Sequence, residues 1–166
     1  MSNDGGQIAY AGYPASEVTY EMPRIHVMNA DGSEARQISD DFDRPPGDLI
    51  WAGNDRGLFF TAQDAGYINV FNMSLNGDVR AVTEGQHSMT LASVNRNVNV
   101  GVGVHAAYHE PGDIYSFALS GRGDPERLTA VNEDLLAGKT LGAHEEIWYE
   151  ASDGNRAHGW IVKPPD

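Results

Sequence analysis

Three observations mark this chain as all-β and built from a repeated unit. The segment Arg24 to Ser39, RIHVMNADGSEARQIS, has two β-prone arms around an Asn29-Ala30-Asp31-Gly32 turn, and Asp-Gly between apolar runs is a strong hairpin signal. Two degenerate copies follow. Tyr67 to Thr83 turns at Asn76-Gly77-Asp78, and Asp113 to Thr129 turns at Gly121-Arg122-Gly123-Asp124. Aligning Ile25 with Ile68 and Ile114 gives steps of 43 and 46 residues, and the return-arm arginines Arg36, Arg80 and Arg127 give 44 and 47. The third observation is a turn-and-strand unit ahead of each hairpin, which brings each repeat to four strands. A period in the forties made of strands and turns is the mark of a β-propeller blade. The expected fold is therefore all-β: a partial β-propeller of about three four-stranded antiparallel blades, followed by one terminal hairpin.

In chain order, Ser2 to Tyr10 reads as a polar turn leading into a strand. Its counterpart is Trp51 to Phe60, where Leu49-Ile50-Trp51 ends a strand, Asn54-Asp55-Arg56-Gly57 turns, and Leu58-Phe59-Phe60-Thr61 begins the next. Ala11 to Pro23 and Asp40 to Asp48 (DDFDRPPGD) are expected as loops, because proline lacks the N–H a central strand needs. Ser88 to Val94 and Val98 to Val104 supply the opening strands of a third unit. The glycines of the latter run suggest close approach by a neighbour. Blade boundaries fall at about 1–39, 47–84 and 88–130. Stacked blades bury both faces of an inner strand, so near-continuous apolarity replaces alternation. Ile8, Val27, Leu58, Phe60, Ile68, Val70, Val100, Val102, Ile114 and Phe117 are the expected core. Ala130 to Gly142 is irregular, with a short helix start at Asn132 to Leu136. The closing hairpin runs Glu145 to Glu150, turns at Ser152-Asp153-Gly154-Asn155 and returns over Arg156 to Asp166, outside the repeat.

Composition narrows the function classes. The formal charge is −13, with 24 acidic against 11 basic residues, and Lys139 and Lys163 are the only lysines. Such a chain repels phosphate backbones and anionic lipid, so neither nucleic acid nor membrane is an expected partner. There is no cysteine, hence no disulfide framework. The first residues, MSNDGGQ, lack the basic and apolar regions of a secretory signal, and a cytoplasmic location is the expectation.

The Met28-Asn29-Ala30-Asp31-Gly32 hairpin and the arm ending Glu126-Arg127-Leu128-Thr129 resemble blades of the TolB-like type. Joined to Glu146-Ile147-Trp148-Tyr149, Ser152-Asp153-Gly154 and Gly159-Trp160-Ile161-Val162-Lys163-Pro164-Pro165, they resemble the prolyl oligopeptidase family, in its acylaminoacyl-peptidase and dipeptidyl-peptidase branch. The resemblance implies that residues 1–142 form part of a propeller, and that residues 143–166 lead toward an α/β-hydrolase domain that this sequence does not contain. It further implies a parent serine peptidase acting on short peptides, in which the propeller gates access to the active site and aids substrate selection. A free-standing TolB-like binding or scaffolding module is the alternative.

Catalysis by such a hydrolase needs a Gly-x-Ser-x-Gly elbow, and none occurs in this sequence. Ser120 in Leu119-Ser120-Gly121 is the nearest imitation and reads as turn chemistry. His105, His109 and Glu110 imitate a zinc motif, but on a strand residues four apart lie about 13 Å apart, so a strand-end role is expected. Asp40, Asp41 and Asp43 lack the ordered spacing of a calcium loop. His144 beside Glu145 and Glu146 reads as a solvated linker, and Tyr10, Tyr13 and Tyr20 as structural aromatics rather than a peptide groove. No catalytic, metal or cofactor residue is assigned, and the chain alone is expected to be inactive. Self-association through open blade faces is the expected partnership.

Overall fold

Turn glycines and runs of β-branched and aromatic residues divide the chain into strands much as the repeat requires. The computed structural model describes residues 1–15, 21–95, 97 and 99–165. The first sheet is antiparallel, with order β1 (Gln7–Gly12), β2 (Arg24–Asn29) and β3 (Arg36–Gln37). Next come β4 (Pro46–Trp51), β5 (Gly57–Asp64), β6 (Tyr67–Ser74) and β7 (Val79–Ala81), paired in sequence order. A third set comprises β8 (Ser88–Met89), β9 (Ser93–Val94), β10 (Val100–Ala107), β11 (Glu110–Ala118) and β12 (Glu126–Arg127). The second and third sets fuse into one sheet through β8, which pairs in parallel with β6 at Ile68 and antiparallel with β10 at His105. A single helical turn, α1 (Glu133–Leu136), precedes the closing hairpin of β13 (His144–Glu150) and β14 (Arg156–Val162). The architecture is the expected all-β partial propeller, except that the first sheet has three strands; the counterpart of β4 is not among them.

A hydroxyl fixes the same corner of every unit. Ser39, Thr83 and Thr129, each closing a return arm, accept the backbone N–H of Ile25, Val70 and Ile114 at 2.8, 2.9 and 2.9 Å. This corrects the repeat register. Val70, not Ile68, matches Ile25, and the steps from Ile25 to Val70 to Ile114 are 45 and 44 residues. The sequence alignment slipped because β6 begins three residues before its hydroxyl-bonded position, whereas β2 begins one before.

The units are also joined by a repeated contact. Arg36 Nη1 donates to Leu75 O at 2.8 Å and Arg80 Nη2 donates to Leu119 O at 2.7 Å, so each return arm holds the hairpin turn of the unit that follows. Gly77, at φ 94°, sits in that turn so close to the first unit that a Cβ would fall 2.8 Å from Ile38 O. Glycine is required there for both conformation and space.

Two apolar cores lie between the units, one on each side of β5 and β6. Leu58, Phe60, Phe71 and Met73 pack with Ile25, Val27 and Phe42 on one side. Phe59 and Val70 pack with Met89, Phe117 and Leu119 on the other. Alternate residues of β5 thus enter opposite cores, which is why six consecutive residues from Gly57 are buried.

Of the expected core, Val27, Leu58, Phe60, Val70 and Phe117 are buried. Ile8, Ile68 and Val102 are half-buried. Val100 and Ile114 are each 37% exposed, because they lie on the face of β10 and β11 turned away from the second core, on which no further sheet packs among the described residues. Val98 lies outside the described residues. The loop expected over Asp40 to Asp48 ends early, since β4 starts at Pro46. Proline is admitted as the first residue of a strand at the sheet's edge, where its missing N–H leaves no partner unpaired. The register then shifts between Gly47 and Ile50, with Asp48 at φ 48°.

Candidate functional site

The closing hairpin is the element that does not repeat, and it crosses the ends of the second and third units. Its own turn is closed by Gly154 at φ 82° and by the Ala151 N–H donating to Asn155 O at 2.8 Å. From β14, Trp160 reaches the Ala65-Gly66 turn between β5 and β6. A Cβ on Gly66 would lie 2.0 Å from the indole, so only glycine admits the ring there. Trp160 Nε1 donates to the Tyr67 hydroxyl at 3.0 Å, and the two rings stand nearly perpendicular at 81°. Gln86 Nε2 donates to Glu146 Oε2 at 2.9 Å. On the third unit, the Tyr108 ring lies 4.7 Å from that of His144, with His109 5.5 Å from it. Gly66, Tyr67, Gln86, Tyr108, His144, Trp160 and Val162 enclose a cleft of about 260 Å³.

Within the hairpin, His158 stacks on Trp148 at 4.2 Å and packs against Trp160 at 4.3 Å. Its Nε2 lies 2.9 Å from Glu146 Oε1, which also accepts the Trp148 indole N–H at 2.9 Å. His158 Nε2 nonetheless has no hydrogen-bond partner among the described residues, so its approach to Glu146 is a close contact only. Arg156 lies over the outer Trp148 face at 4.7 Å. His158 thus packs against both tryptophans of the hairpin, and Glu146 holds the indole N–H of Trp148.

Behind the cleft, a polar network spans the seam between β8 and β10. His87 and His105 face each other at 4.8 Å, and both His87 Nε2 and His105 Nδ1 are buried without a hydrogen-bond partner. Burial, and then His105, push the His87 pKa down, so it rests as neutral imidazole. Glu110 Oε2 lies 3.4 Å from His105 Nδ1, while Tyr115 donates its hydroxyl to Glu110. Burial first, and Glu110 second, push the Tyr115 pKa up to about 12. Asp113 is fully buried. It accepts the Val131 N–H at 3.0 Å, the Thr129 hydroxyl at 2.7 Å and the Arg127 guanidinium, which together pull its pKa down to about 2. Arg127, one residue out of step with Arg36 and Arg80, thus turns back into its own unit.

The residues singled out in the sequence go to different places. His105 and Glu110 meet across the β10–β11 hairpin end, whereas His109, in the turn, joins Tyr108 and His144 instead. His144 is not a solvated linker. It is half-buried, because β13 presses it onto Tyr108. Ser120 is exposed in its hairpin turn. Tyr10 stacks on His26 at 5.1 Å, Tyr13 is exposed, and Tyr20 lies outside the described residues. Asp40 accepts Gln37 Nε2 and Asp43 faces Arg44. Among the described residues, no three His, Asp or Glu side chains are placed to hold a metal ion. Sequence reasoning missed the cleft itself. Its signal was a tyrosine at each of two corresponding turns, Tyr67 and Tyr108, opposite a tryptophan strand.

No family model matches the chain. It is similar to dipeptidyl-peptidase 5 of Porphyromonas gingivalis, 26% identical over 100% of this chain and 24% of that protein. It is equally similar to dipeptidyl-peptidase 5 of Schizosaccharomyces pombe, 26% identical over 99% of this chain and 24% of the relative. The chain thus spans about a quarter of the length of the curated relatives it matches. Its fold superposes on acylaminoacyl peptidase of Pyrococcus horikoshii with TM-score 0.77 at 21% identity, covering 98% of this chain and 24% of that one. The β-propeller domain of the trilobed protease of Pyrococcus furiosus gives 0.61 at 22% identity, covering 82% and 38%. TolB of Acinetobacter baumannii gives 0.61 at 15%, covering 77% and 31%. The relatives are peptidases, and the shared fold is that of the propeller portion of prolyl oligopeptidase-type enzymes.

Proposed function

We propose that this chain is a non-catalytic propeller segment of a serine peptidase that acts on short peptides, in which stacked blades restrict access to an active site carried elsewhere and help select the substrate. On this reading residues 1–142 belong to the propeller and residues 143–166 lead toward a hydrolase domain. The observation that carries it is the hairpin of β13 and β14. It leaves the repeat, docks across the ends of two units through Trp160, Gln86 and Tyr108, and is matched, with the rest of the chain, by peptidase relatives over 99 to 100% of its length. The rival reading, a free-standing TolB-like binding module, draws on a likeness covering 77% of the chain.

Two experiments test the proposal. The purified chain should neither hydrolyse dipeptidyl or acylaminoacyl chromogenic substrates nor react with a fluorophosphonate probe, since no serine is set in a nucleophile elbow. Stoichiometric labelling of one serine in the folded chain refutes the non-catalytic assignment. For gating, the chain is grafted in place of the matched segment of the Porphyromonas gingivalis enzyme. A graft that is labelled by the probe but cleaves long and short peptides alike refutes that role.

A further inference from the structure

We propose that the cleft between the closing hairpin and the turns at Gly66 and Tyr108 is a binding site for a small organic ammonium ion. This stands apart from the peptidase reading, because every lining residue lies in this chain and no hydrolase domain is needed.

Four ring systems surround the space. Tyr67 and Trp160 form a near right-angled corner at 81°, and the neighbouring Tyr108 and His144 rings also line the cleft. Perpendicular aromatic walls offer a guest both a ring face and a second face at its side, and ring faces carry the negative end of the aromatic quadrupole. Tyr108 and Trp160 stay accessible, at 44% and 42% exposure, although His144 and His109 pack on the first and His158 on the second.

Charge favours a cation over an anion or a neutral guest. Among the described residues no lysine or arginine lines the cleft, and the nearby Lys163 is paired with Glu145. Glu146 lies two residues beyond His144 on β13, and the chain as a whole carries −13. Glu146 Oε2 touches the lining through Gln86, which places negative charge one residue behind the wall. At about 260 Å³ the cleft falls below the usual range for drug-sized ligands, which suits one compact group. The corner is also preformed. Gly66 fixes where the indole lies, and the indole N–H is tied to the Tyr67 hydroxyl.

The test compares choline with dimethylbutanol, its uncharged carbon analogue of the same shape, by titrating each into the isotope-labelled chain at about pH 8. Choline should shift the Gly66 amide and the Trp160 indole N–H resonances saturably. The alcohol should bind at least about tenfold more weakly, as expected when cation–π attraction adds to apolar contact. Tyr108→Leu keeps apolar bulk at an exposed position without a hydrogen bond, and should weaken choline severalfold while leaving the alcohol and the melting temperature unchanged. Equal affinity for the two probes would reduce the cleft to an apolar crevice and overturn the proposal. So would the absence of saturable shifts, or shifts confined to the Trp51 and Trp148 indoles; the comparison of the two probes decides the matter even if the variant fails to fold.

Discussion

Thr83→Val is the sharpest probe of how the repeat is held. Thr83 is buried, and its hydroxyl accepts the Val70 N–H at 2.9 Å while donating to Asn69 Oδ1 at 3.1 Å. Val70 is wholly buried and Asn69 nearly so, which leaves water no easy access to either group. Valine has the shape of threonine with a methyl in place of the hydroxyl, so packing is kept and both partners are stranded. A stranded buried polar group costs about 1–3 kcal/mol, so the expected loss is roughly 2–3 kcal/mol. For a chain of this size that lowers the melting temperature by about 5–10 °C. Thr83→Ser makes the opposite exchange, losing one methyl at about 1 kcal/mol while keeping both hydrogen bonds. The predicted order of stability is therefore threonine, serine, valine, the reverse of what hydrophobicity alone predicts for the two variants. Ser39→Ala, which strands the fully buried Ile25 N–H at the same corner of the first unit, should also cost about 1–3 kcal/mol. Thermal and urea denaturation of the four proteins measure this directly. A valine variant as stable as the serine variant would show that the corner hydroxyl is not what fixes the units.

Phe60→Ala should cost about 3–5 kcal/mol by urea denaturation, because the ring is fully buried and packs edge-on against Phe42 at 5.3 Å and stacks on Phe71 at 5.8 Å. The Asp113 carboxyl has a lower pKa folded, about 2, than its ordinary 3.8. Its contribution to stability is therefore complete above about pH 4 and lost as the pH falls toward 2, and Asp113→Asn should flatten the melting-temperature profile in that window. We also propose that the chain self-associates through its open sheet faces, where Val100, Val104 and Ile114 are exposed side by side. Light scattering should then report a dimer or larger species that high salt strengthens, since salt screens the acidic repulsion without weakening apolar burial. A compact monomer at low and high salt would sink that proposal.

What the sequence determined by itself was local. The turns at Asp31-Gly32, Asn76-Gly77 and Asp153-Gly154 need φ above zero, and glycine next to a short polar residue announces this without any tertiary context. The apolar run Leu58-Phe59-Phe60 announced a strand covered on both faces, and the break in the repeat after Thr129 announced that the closing hairpin was something else. The repeat register, however, was two residues out at Ile68, because apolar residues of similar type can slide along a strand whereas the Thr83 hydroxyl has one position within reach of a backbone N–H. Val100 and Ile114 read as core because their chemistry is apolar, but burial is a property of the partner surface, and only the tertiary structure shows that each keeps 37% exposure on its face of the sheet. The same holds for the cleft. Gly66, Tyr67, Gln86, Tyr108, His144 and Trp160 are scattered over nearly a hundred residues, and no spacing rule joins them; they meet because a hairpin outside the repeat lies across two turns within it.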